Sequence, residues 1–160
     1  MGALQGGRIH AGVFGYPTSR AVKLGNRILL HLPNLNIPYA STGVSTRGDV
    51  IRNDPDVIRR YLSAQVEAIA LMKRDRAFAM KVLSKYLRID DPNLLAETYD
   101  IQIAKYMMKV PLPTADAVRA VLEELEERNP KAKDLDPNKF LDDRFVRELQ
   151  AKDSIEALYR

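Results

Sequence analysis

The sequence predicts an α/β chain that is mostly helical, with only a small remnant of sheet, and three observations support this. An apolar run, Arg8 to Phe14, lies between Gly6-Gly7 and Gly15 and leads through Tyr16-Pro17-Thr18-Ser19 toward a helix, a strand-then-helix order. Three later segments open with the same pair, Asp-Pro, at 54–55, 91–92 and 136–137. Behind them apolar residues recur at helical spacing over most of the remaining chain.

Taken in order, the first strand is expected over Arg8 to Phe14 and its helix from about Pro17 to Lys23, closed by Gly25. A second short apolar run, Arg27 to Leu32, meets two prolines, Pro33 and Pro38, which make it a connection or an edge. Residues 39 to 48, YASTGVSTRG, are polar apart from Tyr39, Ala40 and Val44, and read as an extended segment. From Asp54 the pattern is helical. Asp accepts from the exposed N–H groups of a first turn, and Pro at the first helical position gives up a donor that has no partner there. Ile58, Leu62, Val66 and Ile69 mark one stripe, Phe78, Val82, Leu83 and Tyr86 the next, and Leu95, Tyr99, Ile103 and Met107 a third. Thr114 caps a fourth helix carrying Val118, Val121, Leu122 and Leu125, and a fifth is expected from Pro137 with Leu141, Phe145 and Leu149. The count is two strand-like pieces and about five to six helices. The polar residues 39–48 separate residues 1–38 from the helical remainder, 49–160.

The chain has 160 residues, of which 46% are hydrophobic and 29% charged, the composition of an ordinary globular domain. It contains no cysteine, which excludes disulfides, thiolate nucleophiles and Cys-ligated metal. No apolar run approaches the roughly 20 residues of a membrane span, and the first residues lack the basic and apolar regions of a signal peptide. Charge is uneven: residues 1–90 carry 14 Lys/Arg against 6 Asp/Glu, and residues 91–160 carry 11 against 15. A basic half is compatible with nucleic acid or an anionic ligand, or with solvated charge on helix faces whose two halves attract each other. Aromatic residues do not alternate with the basic ones as a base-stacking surface requires.

Catalytic and metal patterns are incomplete. Asp134, Asp136, Asn138 and Asp142 match the oxygen positions of a calcium loop, but Lys139 stands where the turn needs Gly and Phe145 where a bidentate Glu is needed. The two histidines, His10 and His31, are far apart and have no partner at ligand spacing. GVSTRG at 43–48 places its second Gly one residue too late for a nucleophile elbow. The remaining candidate is the strand-to-helix turn, with backbone N–H groups, the hydroxyls of Thr18 and Ser19 and the phenol of Tyr16, a set suited to a small polar or anionic ligand or simply to capping.

The order of these parts resembles the C-terminal half of the substrate-binding proteins of ABC transporters of the nitrate, sulfonate and taurine type, with their thiamine-pyrimidine-binding relatives. The likeness runs from GGRIHAGVFGYPTSRAVKLG through IPYASTGVSTRGDVIRNDPDVIRRYL and KVLSKYL to DDRFVREL and IEALYR, and so covers essentially the whole chain. His10 stands where the family carries Asp, and Lys152-Asp153 where it carries a small residue and Gly.

The resemblance implies a partial type II periplasmic-binding-protein-like domain, in which residues 1–38 belong to a second lobe and 39–48 to a hinge crossing. The implied function is reversible capture of a small solute in a cleft, without catalysis and without a cofactor. The ligand contacts it implies are Phe14, Gly15, Tyr16, Thr18 and Ser19 on one side and Tyr39 and Thr42 near the hinge. In the family the loaded form is read by an ABC transporter permease, and a ligand that prefers the closed form drives the closure. The family works in the periplasm or anchored outside the cytoplasm; a chain complete as written would be cytoplasmic. Most of the first lobe has no counterpart here, so the expectation is a fragment or, if the chain is complete, a homodimer. Two alternatives stay open: a basic helical module that binds nucleic acid or a partner protein, and a pyrimidine-synthesising enzyme of the same fold.

Overall fold

The computed structural model describes every residue except Tyr16, Asn36 and Ser41, and it corrects the predicted fold class. Helix takes up 63% of the described residues and no strand is present among them, so the α/β domain with a sheet remnant is not what this chain forms. A strand is stable only when a neighbour pairs its backbone and covers one face. Neither apolar run has such a neighbour. Val13 is 84% and Leu29 80% exposed, and the backbones of residues 10–15 and 27–30 make no hydrogen bond among the described residues. Apolar composition therefore signalled surface to be covered and not a ladder already formed.

Nine α-helices occur among the described residues: α1 Gly2–Gln5, α2 Ser19–Lys23, α3 Gly48–Asn53, α4 Pro55–Arg74, α5 Arg76–Leu87, α6 Pro92–Thr98, α7 Ala115–Glu126, α8 Arg144–Ala151 and α9 Ser154–Ala157. They fall into two compact units, Met1–His31 with Ile69–Met108, and Leu32–Ala68 with Lys109–Arg160. The boundary falls within α4.

In the first unit the core is built by Ala79, Tyr99 and Ile103, with Met72, Met80, Leu83 and Met107 packed against them. Asp91 opens α6 as the sequence indicates, accepting from the Asn93 and Leu94 amides at 2.9 and 3.4 Å, with Pro92 in the first turn. The helix then widens. Tyr99–Tyr106 is a π-helix, closed by the Met107 amide donating to the Gln102 carbonyl at 3.0 Å, and such wide turns are uncommon beyond a single turn.

Two groups of α4 stabilise it. The Lys73 ammonium donates to the Ile103 and Ala104 carbonyls at 2.7 and 3.3 Å, and the Tyr99 hydroxyl donates to the Met72 and Lys73 carbonyls at 3.2 and 3.4 Å. A cation at the last carbonyls of a helix also opposes its dipole. Lys73→Met is expected to cost about 1–3 kcal/mol, because the part-buried Ile103 carbonyl loses its charged donor. Urea denaturation reads this directly, and an unchanged midpoint would mean that the ammonium does not hold the π-helix.

In the second unit Val66, Val146 and Ile155 form the core, with Leu62, Leu149, Leu158 and Tyr159 around them. Arg59 on α4 donates to Glu148 on α8 at 2.9 Å and lies 5.4 Å from the centroid of the buried Phe145 ring. Thr114 caps α7 by accepting from the Ala117 amide at 3.3 Å, as its place in the sequence predicts. The third Asp-Pro pair does less than expected. Asp136 accepts from the Asn138 amide at 2.9 Å, but Pro137–Phe140 is a single 3₁₀ turn, and the helix with Phe145 and Leu149 begins only at Arg144. A cap satisfies one or two amides, whereas lengthening a helix needs a buried apolar stripe, which here starts at Phe145.

Candidate functional site

The turn that leads into α2 is held from across its own unit by a residue for which the local sequence gave no signal. Glu97 on α6 accepts from the Thr18 amide at 2.7 Å, the Thr18 hydroxyl at 2.9 Å and the Ser19 amide at 3.2 Å to each carboxylate oxygen. The first turn of α2 therefore already receives a carboxylate, the group that free N–H donors at a helix start attract. Burial pushes the Glu97 carboxyl up, but the hydrogen bonds from Ser19 and Thr18 together bring it below the usual carboxylate range. A second contact closes the other end of α2, where Lys23 donates to Asp91 at 2.9 Å. The Asp91 carboxyl is lowered by the Lys23 hydrogen bond first and by the Asn93 amide next.

The other expected ligand residues are placed as follows. Phe14 is 36% exposed and its ring lies over Gly12, where an added Cβ would come within 3.2 Å of the ring. Gly15 is exposed with open space around it. Tyr16 lies outside the described residues. Tyr39 and Thr42 belong to the second unit. The Tyr39 hydroxyl donates to Glu124 on α7 at 2.6 Å, and that hydrogen bond is the main cause of its raised pKa. Beside it the Ala40 amide donates to the Ala117 carbonyl at 3.2 Å, which fastens the segment to α7. Thr42 is exposed and makes no hydrogen bond among the described residues.

A scan of protein-family models finds no match to this chain, and neither do searches of curated proteins and of solved structures.

Two oxygen ligands of the calcium pattern have other partners. Asp142 pairs with Arg144 at 2.7 Å, which lowers its carboxyl, and the Asp136 carboxyl is lowered chiefly by the Asn138 amide. Among the described residues no group of three or more acids and histidines is placed to hold a metal ion, and no helix is long and apolar enough to cross a membrane. A shallow cavity of about 260 Å³ opens in the second unit between α7 and residues 132–137, with Arg119, Glu123, Glu126 and Lys133 on its walls. Its charges are mixed and solvent-facing, and it contains none of the residues expected to bind ligand.

What the arrangement at α2 can do chemically is limited and clear. It offers two amides and a hydroxyl to a planar anion. Sequence reasoning found the donors and missed Glu97, which lies 79 residues from Thr18 in a helix where a Glu is unremarkable.

Proposed function

We propose that this chain is a non-catalytic solute-binding part of an ABC importer receptor, and that the turn at Thr18 and Ser19 receives the anionic group of a small molecule. The observation that carries the reading is the bound carboxylate of Glu97: amides and a hydroxyl that hold one carboxylate within hydrogen-bond distance have the geometry to hold another. The ordered likeness to the nitrate, sulfonate and taurine receptors supports the same chemistry. Glu97 acts as an internal competitor. An incoming solute displaces it, so the apparent affinity is reduced by the fraction of molecules in which the turn is occupied.

Isotope-edited NMR of the chain titrated with nitrate, taurine and a thiamine-type pyrimidine tests the proposal. Binding at the turn moves the Thr18 and Ser19 amide signals together with the Glu97 carboxylate signal, for at least one of the three. Shifts confined to other residues, or none with any of them, would defeat the reading. Salt-sensitive binding of a DNA duplex in their place would favour the basic-module alternative, since phosphate contacts release counterions.

A further inference from the structure

We propose that residues 27–31, Arg-Ile-Leu-Leu-His, form a docking edge for an extended protein segment in which acidic and apolar residues alternate. Three observations from the first unit support this. Ile28, Leu29 and Leu30 are 39%, 80% and 60% exposed, in one uninterrupted run. The backbone N–H groups of 27–31 and the C=O groups of 27–30 take part in no hydrogen bond among the described residues, so the run offers both donors and acceptors. The sequence leading into it carries one sign of charge: residues 1–31 hold four Lys/Arg and no Asp or Glu, and while Lys23 pairs with Asp91, Arg8, Arg20 and Arg27 have no ion-pair partner among the described residues.

These features select the occupant. An added strand satisfies unpaired backbone groups and covers alternate side chains at once. In an extended run Arg27, Leu29 and His31 point to one side and Ile28 and Leu30 to the other, so an alternating partner with its acids on the face of Arg27 and His31 and its apolar residues on the face of Ile28 and Leu30 matches both chemistries. A lipid surface takes up the leucines but supplies no partners to the amides in its hydrocarbon. A second copy offers the same acid-free stretch and brings cation toward cation. The edge is a different place from the Thr18–Ser19 turn and does not depend on the function proposed there.

Hydrogen–deuterium exchange on the full chain tests the edge with two synthetic peptides, one alternating Val and Glu and the other Val and Lys. The Val-Glu peptide is expected to slow exchange at the 28–31 amides by on the order of tenfold at saturation, and the Val-Lys peptide is not. Leu29→Pro, which removes one amide from an exposed position, is expected to abolish that protection while leaving the far-UV circular dichroism unchanged. The proposal is overturned if neither peptide protects 28–31, or if both protect equally. It is also overturned if protection appears without peptide as protein concentration rises, or if mixed phosphatidylcholine–phosphatidylglycerol vesicles protect these amides and the Val-Glu peptide does not.

Discussion

Glu97→Ala is expected to loosen the first turn of α2 and to cost about 1–3 kcal/mol, the range for hydrogen bonds to a charged group, with a half-exposed site at the lower part of it. Thr18 and Ser19 would lose the carboxylate that ties them to α6, and amide exchange at 21–25 should accelerate well before the rest of the unit responds. The effect depends on pH with a definite sign. Because the folded-state pKa of Glu97 is depressed, its contribution is complete above the ordinary glutamate value of about 4.3 and is lost as pH falls through the lower folded value. Wild type and Glu97→Ala should therefore differ at neutral pH and converge in acid, as read by urea midpoints across that range. A difference that stays constant with pH would mean that the side chain acts by packing and not by charge.

Ile155→Ala should have a larger effect, about 2–5 kcal/mol, as for large-to-small changes at well-packed positions. Ile155 is 1% exposed and belongs to α9, a helix of four residues whose start at Asp153 lies in the left-handed region with φ +57°. So short a helix has little stability of its own, and contact of Ile155 with the Val66 and Val146 core is what fixes it. Ile155→Val leaves a smaller void and should cost about 0.5–1.5 kcal/mol. Equilibrium unfolding in urea, followed by far-UV circular dichroism, separates the two. An Ile155→Ala loss no larger than that of Ile155→Val would mean that the C-terminal turn is not docked.

The sequence was legible where local chemistry decides. Asp91 and Thr114 cap the helices predicted for them, and Val66, Ile103 and Leu122 are buried as their spacing indicates. It misled where structure depends on a partner. The runs at 8–14 and 27–32 have strand composition, but only a paired neighbour turns composition into a strand, and none is present among the described residues. The third Asp-Pro pair shows the same distinction on a smaller scale, because a good cap at Asp136 cannot extend a helix over 137–143, where no residue is fully buried. At the candidate site the donors Thr18 and Ser19 were readable from the turn. Glu97 was not, since contact across 79 residues leaves no mark in local spacing.

Thermal unfolding of Glu97→Ala in sodium formate, against sodium chloride of equal ionic strength, tests most directly whether the Thr18–Ser19 turn is an anion receptor. Formate carries the carboxylate that the variant lacks. The account predicts that formate raises the midpoint of Glu97→Ala toward that of wild type while raising wild type, where Glu97 competes for the turn, by less. Identical unfolding of the variant in the two salts would contradict it.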